Sequence, residues 1–214
     1  MAGRISITES LYGTLMDRVL TGAFSPGSRI DVNEIAARDG VSPTPVRNAL
    51  NRLVGAGLIV SQSNEGFFAP YLSEQELREF YDASAALLGL AIARGPGAKK
   101  SPAPSPTTPA HEEHTLRQRT EAAFLEIMHL GNNGRLSAAL ADIALRLRPV
   151  RAHESALIAN GEAELRRILQ AHGACDYTEL DRLIGAYHRR RIRLAPKLLT
   201  RLHHRETGPR TDHP

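Results

Sequence analysis

The apolar positions of the first seventy residues recur at helical spacing only in short bursts. Ile7, Leu11, Leu15 and Val19 share one face of a helix predicted over 7–21. Phe24-Ser25-Pro26-Gly27-Ser28 then reads as a turn. A short helix is expected over 33–39, stopped by Gly40, and a second over 42–56. Two brief apolar runs, 58–61 and 67–70, flank Gln62-Ser63-Asn64-Glu65-Gly66, which has the composition of a hairpin turn. A long helix over 73–94 opens with Ser73 and Glu76 spaced as a capping box. Beyond residue 110 the pattern is helical throughout: 112–130, 136–148 ending before Pro149, 151–160, 162–172, and 176 to about 193, where Pro196 ends or kinks the helix.

Residues 33–58 carry the most specific arrangement. Gly40 can supply the left-handed backbone of a tight turn, and Val41 can plug the angle between two helices. Ser42 is a good N-cap, and Pro43 and Pro45 fall in the first turn, where missing amides are tolerated. Val46, Leu50, Leu53 and Val54 make one apolar face. Thr44, Arg47, Asn48 and Asn51 make the opposite one, with groups that can reach phosphates and base edges in a major groove. The following hairpin would be a wing, its tip Asn64-Glu65-Gly66 close to the nucleic-acid backbone. Periodicity alone leaves open an ordinary helical hairpin with an exposed polar face. The fold class expected is mainly α: a winged helix-turn-helix, itself α/β, over 1–72, and an all-α bundle over 73–205.

The break at 95–110 holds five of the thirteen prolines and no apolar side chain larger than alanine, and reads as an extended linker or loop. The chain has 214 residues, 42% apolar, with a net charge of +4. That charge is not in the reader: residues 1–70 hold six basic and six acidic side chains, whereas 188–214 hold eight and two. The tail over 206–214 belongs to this basic end. The whole stretch 188–214 reads as a solvated, fraying helix end or as a non-specific phosphate-binding arm. One cysteine excludes an internal disulfide framework, and no run is long and apolar enough to span a membrane, so a cytoplasmic protein is expected. His111 and His114 lack the spacing of a zinc hydrolase, and Cys175 has no base near it in sequence. No catalytic constellation emerges, and no enzyme is expected.

Three strings resemble the GntR family of bacterial transcription regulators: 24–30, then Gly40-Val41-Ser42-Pro43-Thr44-Pro45-Val46-Arg47-Asn48-Ala49-Leu50, then Leu53 through Ile59. Asn48 stands where the family's run has Glu. The helical remainder resembles the FadR-type branch, with its effector-binding (FCD) domain. Carried over by position, the resemblance implies DNA contacts at Asn33, Ser42, Pro43, Thr44, Arg47 and Gly66, a homodimer reading a palindromic operator in double-stranded DNA, and an effector that controls affinity. Pro43 and Asn33 stand where relatives often have Arg, and Glu65 where the wing is commonly basic.

Many relatives hold a divalent metal through one Asp and three His. The corresponding positions here are Glu121, Leu125, Leu165 and His188. Two of the four are leucine, so no metal or other cofactor is expected. The stretch 82–88, which holds an acidic effector through Arg in relatives, has no Arg. An effector pocket at these four positions would then suit an apolar or acyl ligand. The expected function is a sequence-specific transcription regulator, a repressor by family default. The alternative is a ligand-independent DNA-binding or partner-recruiting module with a degenerate pocket.

Overall fold

The computed structural model describes residues 7–95 and 115–203. Its elements run α1 (Ile7–Leu20), β1 (Arg29–Ile30), α2 (Val32–Asp39), α3 (Pro43–Gly55), β2 (Val60–Gln62), β3 (Gly66–Phe68), α4 (Glu74–Arg94), α5 (Leu116–Met128), α6 (Gly134–Arg151), α7 (Gly161–Gly173) and α8 (Tyr177–His203). Two units result: Met1–Leu72 with Thr200–Pro214, and Ser73–Leu199. The Pro-rich stretch beyond Gly95, the histidines 111 and 114, and the tail at 206–214 lie outside the described residues.

In the first unit, α1, α2 and α3 surround a core in which Leu15, Val46, Ala49, Leu50 and Leu53 are fully buried. Burying leucines of this kind stabilises a domain by about 1.5–3 kcal/mol each. Asp31 caps α2 by accepting from the Asn33 and Glu34 amides, and Gly40 ends it at φ 66°. Only glycine adopts that backbone without strain from a Cβ. The sheet is antiparallel in the order β1-β3-β2, with Arg29 opposite Phe68 and Gln62 opposite Gly66. The hairpin turn was legible in sequence, whereas β1, a two-residue strand, was not. It exists because β3 has a free edge for Arg29 and Ile30 to pair with.

Ser42 departs from expectation. It has the extended backbone of an N-cap, but its side chain accepts no cap hydrogen bond. The flanking prolines explain this. A capping oxygen normally receives the second or third helical amide, and Pro45 removes the third. The Ser42 hydroxyl is left exposed.

In the second unit, Leu88, Ile92, Phe124, Ile127, Met128, Leu140, Ile168, Leu180 and Ile184 form one apolar core drawn from all five helices. Ser73 and Thr115 each close a reciprocal capping box, starting α4 and α5. Two helix ends read from prolines are corrected. α6 runs through Pro149 to Arg151, and α8 runs through Pro196 to His203. Each proline costs an intrahelical hydrogen bond. Burial on both sides outweighs that loss: Leu147 and Val150 around Pro149, Ala195 and Leu198 around Pro196, all fully buried. The helix expected over 151–160 is replaced by a single 3-10 turn, Glu154–Ala156.

Candidate functional site

α3 presents its two faces as the spacing predicts. Val46, Leu50 and Leu53 are buried, while Thr44, Arg47, Asn48 and Asn51 are exposed in a row along the other side. Ser42 and Asn33 are also exposed, and Pro43 is half-buried at the helix start. α1 fixes α3 from behind. Arg52 forms an ion pair with Glu9 at 2.7 Å and lies 4.0 Å over the Tyr12 ring. Arg38 is likewise paired, with Asp39 at 2.8 Å. Among the described residues Arg47 and Arg29 form no ion pair within 4.0 Å, although Arg29 lies close enough to Asp31 to help lower its pKa, and both side chains are exposed.

Sequence reasoning did not single out Arg29. On β1 it lies against the wing: a Cβ on Gly66 would sit 3.6 Å from the Arg29 Nε. Gly66 itself adopts φ 105°. The side-chain-free position that lets the wing come close to a backbone therefore has a cation directly beside it. The signal was available only through pairing, since β1 and β3 are separated by almost forty residues.

Residues 7–69 match the model of the gntR family of bacterial regulatory proteins. This N-terminal segment is thus similar to the DNA-binding domains of that family. The chain is 45% identical over 64 residues to the Nta operon transcriptional regulator of Aminobacter aminovorans, covering 30% of each chain. It is also similar to the transcriptional repressor GlaR of Escherichia coli, 33% identical over 88 residues, which are 39% of this chain and 40% of that one. The matched segment thus spans well under half the length of these curated relatives. Across the whole chain the likeness is one of fold. A putative GntR transcriptional regulator from Rhodococcus sp. RHA1 superposes with a TM-score of 0.65 over 89% of this chain and 97% of that one, at 18% identity.

In the helical unit, the four positions that correspond to the metal ligands of relatives are either apolar or engaged within the chain. Glu121 is buried, but Arg148 holds its Oε2 at 2.9 Å and Arg117 its Oε1 at 3.4 Å. Leu165 is buried and Leu125 packs on the core, and neither offers a ligand atom. His188 is fully engaged. Its Nδ1 lies 2.8 Å from the Ile184 carbonyl and its Nε2 3.0 Å from Ser84 Oγ. A carbonyl only accepts, so Nδ1 carries the proton and Nε2 accepts from the serine. Burial lowers the His188 pKa to about 3, so the ring is neutral. No group of three or more candidate metal ligands occurs among the described residues.

The surroundings of His188 are also far from apolar. Arg191 donates from Nε to Glu154 Oε2 at 2.9 Å and pairs through Nη1 with Glu164 at 2.8 Å. Tyr81 donates to the other Glu154 oxygen at 2.8 Å. The Tyr187 ring lies under the Arg191 guanidinium at 3.2 Å. The absence of Arg from 82–88 was read correctly. What sequence reasoning missed is that α6 and α8 bring arginines to the same interior. For Arg151 the reason is specific: ending the helix at Pro149 placed this residue in the next segment.

Proposed function

We propose that this protein is a homodimeric, sequence-specific transcription regulator acting as a repressor in the cytoplasm, with DNA affinity set by an effector in the helical unit. One observation carries the reading. The exposed face of α3 is a row of amide, hydroxyl and guanidinium groups, rigidly backed by a buried apolar face. Such a helix fits the major groove, where Asn pairs with adenine and Arg with guanine through two hydrogen bonds. Ser42, freed from capping, and Thr44 supply hydroxyls for phosphates at the helix start. Asn33, Pro43 and Gly66 make the close approaches, and Arg29 adds a phosphate contact at the wing. Two copies of the reader around a two-fold axis would read a palindrome.

The test is selection of bound genomic fragments followed by an anisotropy titration at fixed salt. Specific binding at a palindromic site, two chains per site, is the expected result. Equal affinity for the selected and a scrambled duplex overturns it.

A further inference from the structure

The phosphate grip of α3 is slight. Pro43 and Pro45 fall in its first turn, so two amides that a helix start ordinarily offers to an anion are missing. Of its two arginines, Arg52 is paired with Glu9 at 2.7 Å and lies over the Tyr12 ring. Discrimination by this helix then falls to the side chains at the centre of its exposed face.

That centre is carboxamide rather than guanidinium. Each residue of an α-helix advances about 100° around the axis. The fully buried Val46, Ala49, Leu50 and Leu53 give the inward direction. Thr44, Asn48 and Asn51 then lie within about 30° of the outward direction, and Arg47 and Arg52 about 70° to either side of it. Asn48 and Asn51 are exposed, and no group of the chain hydrogen-bonds either side chain among the described residues.

We infer that Asn48 and Asn51 are specificity-determining residues of α3, each selecting an adenine, at neighbouring base pairs of every half-site. Chemistry picks the base. A carboxamide presents a donor beside an acceptor. Adenine alone offers the matching acceptor and donor, N7 and N6–H, on its major-groove edge, whereas guanine offers two acceptors there. Geometry sets the spacing. The three residues from Asn48 to Asn51 rise about 4.5 Å, and successive base pairs lie about 3.4 Å apart. Arg47 reaches in from the flank on a longer side chain and adds a guanine without fixing the adenines. Asn48 and Asn51 can act so only if α3 lies in the major groove, as the proposed function has it.

The test uses the full chain and selection from a randomised duplex library, followed by anisotropy titration of the selected site at fixed salt. Adenines on either strand are replaced one at a time by 7-deazaadenine, which keeps the Watson–Crick pair and removes the N7 acceptor. Two neighbouring positions in each half-site should each lose roughly three-fold or more in affinity. Asn48→Ala should make one of them insensitive and Asn51→Ala the other. Each variant should bind the selected site roughly ten-fold more weakly and a scrambled duplex as before. Both positions are exposed and alanine favours a helix, so circular dichroism should match the parent and Tm should not fall. A selected site without neighbouring adenines overturns the assignment, as does a deaza penalty that is equal in the parent and both variants. Either result leaves specific binding, and with it the regulatory reading, standing. Absence of any sequence preference in the parent overturns both.

Discussion

Arg47 and Arg29 differ in what they can read although neither forms an ion pair among the described residues. Arg47 sits mid-row on α3, facing base edges under the proposed function. Arg47→Ala should lower affinity for the selected operator by roughly 1–3 kcal/mol and relax the preference at one base pair. Anisotropy titrations against operator variants check this, and unchanged affinity would remove Arg47 from the interface. Arg29 lies by the wing and would meet a phosphate. Arg29→Ala should weaken all duplexes alike and reduce the slope of log affinity against log salt by about 1. At this scale the sequence was legible wherever a residue's role follows from its own helix, as for Thr44, Arg47 and Asn51. It was silent where a role depends on a partner far along the chain, as for Arg29 beside Gly66 or Tyr81 against Glu154.

Helix boundaries were read well from caps and poorly from prolines. Ser73 and Gly40 act locally, through amides and φ angles within four residues, so their signal is complete in the sequence, whereas the Thr115 cap was missed because the helix was expected to run over 112–130. A proline states only a local cost, and whether a helix continues through it depends on what its neighbours bury. In α8 the cost is met by Ala195 and Leu198. Pro196→Ala should therefore stabilise the protein by about 1–3 kcal/mol, since it restores a helical amide without disturbing the packed face. Urea unfolding monitored by circular dichroism measures it, and a loss of stability would mean that the bend at this residue is itself required. The same reasoning explains Arg151: continuation of α6 through Pro149 is what delivers this arginine to the bundle interior.

For the molecule as a whole, the polar interior makes stability depend on pH. His188 is neutral when folded, with a pKa of about 3, whereas an unfolded histidine titrates near 6.5. Above that unfolded value both states are neutral and stability is complete. As pH falls from about 6.5 toward 3 the unfolded state takes up a proton that the folded state refuses, so stability drops by roughly 1 kcal/mol per pH unit. The urea midpoint should fall between pH 7 and pH 5, and His188→Gln should flatten that dependence. An equal slope in the variant would assign the effect to other groups. The division into a mixed N-terminal reader and a helical remainder was legible because each has its own hydrophobic period. The buried ion-pair system was not, because charged residues on amphipathic helices look alike whether they face water or one another.

The local neutrality of the reader has a consequence for how such a protein would partition in a cell. Chromosomal DNA offers ordinary sequence in enormous excess over any operator, and attraction to it comes from phosphate charge alone. Two of the six arginines in residues 1–70 are tied to Glu9 and Asp39, and Glu65 stands at the wing tip. Under the proposed function, the N-terminal reader by itself would add little to retention on the bulk chromosome. Fewer copies would then be needed to occupy a target, and one altered base pair there, costing roughly 1–3 kcal/mol, would weigh heavily against so small a non-specific attraction.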